Sequence, residues 1–121
     1  MQLFMSFRFE NLDIWKESID YCNSIYNITE KFPKDESFGL KSQLNRAAVS
    51  ISANIAEGSA SCSDKELKMF IGFSIRSLAE VISELVIARN RRYITDDQFK
   101  GLYDKGEILI KRITSFKNNL V

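Results

Sequence analysis

Gln43, Arg46, Ser50, Asn54 and Glu57 follow one another at steps of three and four, so a helix gathers them onto one polar strip about 60° wide. Such a row can hydrogen-bond across helices or between subunits, line a pocket or pore that holds a ligand, or stand in water. The structural role is preferred, because an unpaired buried polar group costs about 1–3 kcal/mol and so penalises a wrong register or partner. Glu80 and Glu84 lie one turn apart and can pair as acids or hold a hard cation, but no third and fourth ligand stands beside them. A satisfied or solvated pair is the plainer account. Arg89, Arg91 and Arg92, with Lys100, Lys111 and Arg112 beyond them, are the candidate nucleic-acid contacts. The competing account of the arginines is that cations suit the negative pole of a helix end; for the later lysines it is a solvated basic face.

Other chemistry is excluded by what the chain lacks. With no histidine there is no Ser-His pair, no ordinary general base and no Glu-x-x-His ligand set of a di-iron bundle. Neither GxxxxGK[ST] nor GxGxxG occurs, and Asn54 to Gly58 closes a helix, the wrong pole for phosphate. Cys22 and Cys62 lack CxxC spacing, so no zinc or redox site is expected; Cys22 falls in line with Trp15, Ile19 and Tyr26, and Cys62 reads as a free thiol in a loop. We therefore expect no catalytic residue, no metal and no cofactor. The net charge of +1 argues against coating nucleic acid by charge alone. Its distribution is less even, with 9 basic against 12 acidic residues up to Leu85 and 8 against 4 from Val86 onward. No run of eighteen apolar residues exists, and the start MQLFMSF has no signal-peptide pattern, so the expectation is a cytoplasmic protein with no membrane partner.

The elements that must position these residues are helical, within one domain spanning 1–121. Breakers are few, one Pro and five Gly. The first helix is expected over about 12–31, with Leu12, Trp15, Ile19, Cys22 and Tyr26 as its stripe, Ile14, Ile25 and Ile28 widening it, Asn11 or Asp13 as cap, and Phe32–Pro33 as stop. Phe4, Phe7 and Phe9 precede it and can pack on the bundle or on a neighbouring subunit. The second, about 38–57, buries Leu40, Leu44, Ala48, Ile51 and Ile55 and ends where Gly58 can take a left-handed cap. Its remaining arc is Ser42, Val49, Ser52, Ala53 and Ala56, and Arg46 is the only charge between Lys41 and Glu57. A helix so poor in charge is covered on more than one side, and a second copy of the chain is the expected cover, unless Ser and Ala are simply tolerated in water.

The third helix, about 64–92, opens on a Ser63–Glu66 capping box and carries Leu67, Ile71, Ser74, Leu78, Val81, Leu85 and Ala88 at alternating four and three, the seam of near-parallel helices. The fourth, about 96–118, opens on Thr95–Gln98 and turns Phe99, Leu102, Tyr103, Gly106, Leu109, Ile113, Phe116 and Leu120 inward. Loops of about three to seven residues make neighbours antiparallel. The expected fold is all-α, an antiparallel up-down-up-down four-helix bundle.

The stretch SQLNRAAVSISANIAEG, preceded by FPKDESFGL and by FENLDIW, resembles the four-helix-bundle proteins found in intervening sequences of bacterial large-subunit ribosomal RNA genes. A related branch is the accessory variability determinant of diversity-generating retroelements. The likeness runs from Phe9 to about Phe116; Gln43, Arg46, Ser50, Asn54, Glu57, Gly58, Ser77, Leu78 and Glu80 match its pattern. The pattern is departed from around Ile82, Glu84 and Arg91, where it implies Glu, Gln and Leu. The resemblance implies a homo-oligomer, a ring of five, and a partner that is RNA or a reverse transcriptase. Three functions are carried forward: a non-enzymatic assembly that binds RNA or a nucleoprotein through basic residues displayed around a ring, a structural or regulatory scaffold that binds only protein, and an enzyme or ligand binder using the polar seam.

Overall fold

The computed structural model describes residues 7–120, so Phe4 lies outside the described residues. Four α-helices make up the described residues, α1 (Asp13–Thr29), α2 (Leu40–Ser59), α3 (Asp64–Asn90) and α4 (Asp96–Asn118), with short 3-10 turns at Arg8–Asn11 and Lys34–Glu36. Among the described residues there is no strand. Side chains that touch across helices run in opposite chain order. Gly58 meets Leu67 and Phe70 while Ser50 meets Ser77; Gly72 lies toward Lys117 while Arg89 covers Phe99; Glu17 pairs with Arg112 while Tyr21 reaches Leu102. Each helix is therefore antiparallel to its neighbours around the bundle, and no helix of the described residues is long and apolar enough to cross a membrane.

The stripes read on α2 and α3 are core. Leu44, Ala48, Ile51 and Ile55 face Ile71, Leu78, Val81 and Leu85, all wholly buried. The one polar residue in the α3 seam, Ser74, donates its hydroxyl to the Ile51 carbonyl at 2.7 Å, which lets a hydroxyl sit between two helices without an orphaned donor. Ser52, assigned to the open arc of α2, is instead buried and donates to the Val49 carbonyl.

On α1 the stripe is centred elsewhere than expected. The buried residues are Ile14, Ser18, Tyr21, Cys22, Ile25 and Thr29, while Trp15, Ile19 and Ile28 sit at the edge and Tyr26 is exposed. Three of the six carry hydroxyls, each with a partner: Ser18 donates to the Ile14 carbonyl, Tyr21 to the Leu102 carbonyl at 2.9 Å, and Thr29 to Asn45 at 2.8 Å. Burial pushes the Tyr21 hydroxyl well above its ordinary pKa. Neither Asn11 nor Asp13 caps this helix. Its N-cap is Leu12, without a side-chain bond, because the preceding 3-10 turn takes Asn11 and ends with the Leu12 amide on the Phe9 carbonyl. Phe9 packs its ring 4.9 Å from Trp15, and Phe7 lies exposed outside it.

Gly58 does not take a left-handed cap. α2 runs on to Ser59, and a Cβ at Gly58 would stand 2.7 Å from the Phe70 Cβ and 3.0 Å from Leu67 Cδ1. The glycine is there to let α3 approach. Arg92 holds the left-handed position instead, at φ 61°, and closes α3 with its amide on the Arg89 carbonyl and the Tyr93 amide on the Ala88 carbonyl, the two-bond C-terminal turn usually built on glycine. At the start of α3 Ser63 caps the Glu66 amide, but the reciprocal bond of the box is absent; at the start of α4 both halves of the Thr95–Gln98 box form. Leu102, Gly106, Leu109 and Ile113 turn inward as expected on α4, whereas Tyr103 faces solvent. Between α1 and α4 lies a groove of about 290 Å³ lined in part by Tyr21, Lys105, Ile108 and Leu109.

The α1–α2 connection, 30–39, is longer than three to seven residues, and α2 begins at Leu40 rather than near 38. Phe38 is left fully exposed. Glu36 ties this connection down: its Oε1 accepts from the Leu40 amide at 3.0 Å and its Oε2 from the Tyr93 hydroxyl at 2.9 Å, while the Phe32 ring packs tilted against the Tyr93 ring. The two bonds hold the Glu36 carboxyl below the usual carboxylate range. Tyr93→Phe is expected to lower the melting temperature by a few degrees, and Glu36→Ala further because the α2 cap goes as well. Equal thermal melts for wild type and both variants would show that the tie carries no stability.

Candidate nucleic-acid interface and assembly face

The α3–α4 turn brings together part of the basic set. Arg89 lays its guanidinium 4.0 Å above the Phe99 ring, which fixes the plane of the group, and Arg92 follows on the left-handed turn. Both line a polar cleft of about 510 Å³ with Asn90, Tyr93 and Asp96. Thr95 and Gln98 also border it, their side-chain oxygens accepting in the α4 cap, and Arg89 and Arg92 are its cations. These two arginines put two cations on one cleft, with Asp96 weakening their field.

The other basic candidates do not join them. Arg91 turns toward the Tyr93 ring, 6.0 Å from its centroid. Lys100 is paired with Asp104 at 2.9 Å and Arg112 with Glu17 at 3.1 Å, both at the surface. Lys111 is exposed and, eleven residues beyond Lys100, stands about 16 Å further along the axis. Asn90 was missed in the sequence, since an amide at a helix end carries no signal until the turn that folds it toward Arg92 is known.

The polar seam is met in two states. Asn54 donates to the Ser50 carbonyl at 2.8 Å and to its hydroxyl at 2.9 Å, and Ser77 of α3 donates to the same Ser50 hydroxyl at 2.9 Å. Ser50 thus joins α2 to α3. Gln43, Arg46 and Glu57 are exposed and make no side-chain hydrogen bond or ion pair among the described residues. Val49 keeps 43% of its surface in water, with Ala53 and Ala56 half-buried beside it, so this chain by itself does not wrap the outer flank of α2.

Across from that flank, Phe73, Ser77, Glu80, Glu84 and Ile87 recur on α3 at steps of four and three, and the Ser77–Ser50 bond places their strip against α2. Glu84 is buried, 7% exposed, and its Oε1 has no hydrogen-bond partner among the described residues. Burial first, and the Glu80 carboxylate second, push the Glu84 carboxyl up to about 7. The described residues contain no group of three or more His, Cys, Asp or Glu able to hold a metal ion.

A family model described as 23S rRNA-intervening sequence protein matches residues 10–115. A crystal structure at 1.70 Å resolution, of a protein with unknown function from the S23 ribosomal protein family of Bacteroides thetaiotaomicron VPI-5482, resembles this chain with a TM-score of 0.79 and 20% identity, over 86% of this chain and 97% of that one. At that identity the likeness is one of fold. No curated protein matches the chain.

Proposed function

The chain belongs to the 23S rRNA-intervening sequence protein family, and from that premise we propose that it is a non-enzymatic, self-assembling helical-bundle protein that binds RNA, or a nucleoprotein partner such as a reverse transcriptase, through arginines repeated around a ring of five. The observation that carries this reading is the cleft at the α3–α4 turn, where Arg89 and Arg92 stand together beside Asn90. One copy offers few phosphate contacts. Several copies linked in one particle multiply effective affinity and give a steep dependence on salt, which reconciles a net charge of +1 with binding to a polyanion.

Titration of a structured RNA hairpin at rising ionic strength tests it. Saturable binding is expected at low salt, weakening steeply as salt rises. The Arg89→Gln/Arg92→Gln double variant should bind at least about tenfold more weakly, with a salt slope shallower by about one for each phosphate it no longer neutralises. Lys111→Gln, remote from the cleft, should leave affinity near wild type. No saturable binding at low ionic strength discards the RNA reading.

One observation favours the alternative of a scaffold that binds only protein. Phe38 presents a whole benzyl group to water on a connection pinned by Glu36, the form of an anchor for a partner's pocket. Partners retained after nuclease treatment, and absent with Phe38→Ala, would favour it.

A further inference from the structure

The α2/α3 flank carries charges that its own chain leaves unmatched. Arg46 on α2 makes no ion pair among the described residues, and neither does Glu80 or Glu84 on α3. The three stand at the same level of the bundle, since Ser50, one turn beyond Arg46, bonds Ser77, one turn before Glu80. Apolar surface surrounds them: Val49 is 43% exposed, Phe73 37% and Ile87 46%. A buried carboxylate without a partner, beside a second carboxylate, is a poor arrangement in isolation.

We infer that this flank binds a second copy of the chain, the Arg46 guanidinium of one copy lying over the exposed Glu80 carboxylate of the other, with the buried Glu84 carboxyl beneath it. The inference rests on the self-assembly reading above and adds the contact that directs it. Charge complementarity selects the occupant. The flank bears both an unpaired guanidinium and an exposed carboxylate, so successive copies can meet head to tail, the cation of one against the anion of the next, as a closed ring requires. A guanidinium offers five donors in a planar fork and can take both oxygens of one carboxylate, which a lysine cannot do as well. An RNA strand is the wrong occupant, because its phosphates would face the carboxylate pair. The Ser50–Asn54–Ser77 bonds gain a purpose as well: they fix the relative rotation of α2 and α3, and with it the spacing between the cation and the anions.

The test is the mass of the particle by sedimentation or native mass spectrometry, with circular dichroism confirming that each variant folds. Wild type should assemble, and Arg46→Glu and Glu80→Arg, each a change at an exposed position, should each weaken assembly by at least about tenfold by placing like charges together. Mixing the two variants should restore complexes that contain both, and one chain carrying both changes should assemble again. If wild type assembles and both single variants assemble equally well, the contact is overturned and self-assembly stands. If the singles dissociate but neither the mixture nor the doubly changed chain recovers, the pairing is likewise overturned. A wild type that stays monomeric at every concentration removes the self-assembly reading itself.

Discussion

Gly58→Ala is expected to destabilise the bundle by about 1–2 kcal/mol, although the substitution raises helix propensity. In a helix interior alanine is favoured over glycine by about 1 kcal/mol, so local preference alone points to a gain. Packing points the other way and is the larger effect. The added methyl would stand 2.7 Å from the Phe70 Cβ, an atom fixed to the α3 backbone that cannot swing aside, so α3 itself must move, and overpacking of this kind costs about 1–3 kcal/mol or more. Gly101→Ala supplies the contrast. It lies on the exposed side of α4 with nothing within 4 Å of an added Cβ, and should stabilise by up to about 1 kcal/mol. Chemical denaturation of the two variants checks both signs. A gain at Gly58 as large as that at Gly101 would mean that α3 has room to yield.

Glu84 should make the dissociated chain less stable as pH rises toward 8. Its carboxyl is held at about 7 in the folded chain against 4.5 as the ordinary value, so between those limits the folded chain binds the extra proton. Stability therefore falls as pH rises through that window, is fully lowered above about 7, and is unaffected below 4.5. A shift of this size corresponds to at most about 3 kcal/mol. Burial decides it first and the Glu80 carboxylate on the same helix second. Glu84→Gln, a neutral isostere, should remove most of the slope and raise the melting temperature at pH 8 but not at pH 4. Measured at a concentration where copies are apart, an unchanged slope in the Gln variant would assign the pH dependence to other groups.

The helices of the core were legible because α2 and α3 repeat apolar residues at strict intervals, and a stripe of Leu44, Ile51 and Ile55 has one physical outcome. α1 was misjudged by about one residue's rotation. Its buried face includes Ser18, Tyr21 and Thr29, which count as polar in a pattern and become core only through partners on the first turn, on α4 and on α2. Gly58 shows the same limit. From the sequence it is a helix terminator, and only the distance to Phe70 identifies it as a point of close approach. Within the candidate site, Ser50 is bonded across to Ser77 while Asn54 bonds back to Ser50 within α2, and the burial of Glu84 was hidden, since a carboxylate is expected in water unless a cation is visible nearby. Six basic residues were named, yet only Arg89 and Arg92 share a cleft. The spacing between Lys100 and Lys111 shows that they are far apart, but not which side chains pair with Asp104 and Glu17.

The Tyr21 hydroxyl on the Leu102 carbonyl joins parts of the chain 81 residues apart, whereas α1 with α2, α2 with α3, and α3 with α4 are all neighbours in sequence. Closing so long a loop is entropically the hardest step, so the first and last helices meet after the hairpins between them have formed. That late seam is also the one held by a surface ion pair and flanked by an open groove, so it is the first to part in native-state fluctuations, and amides of α1 and α4 should exchange with solvent before those of the central pair.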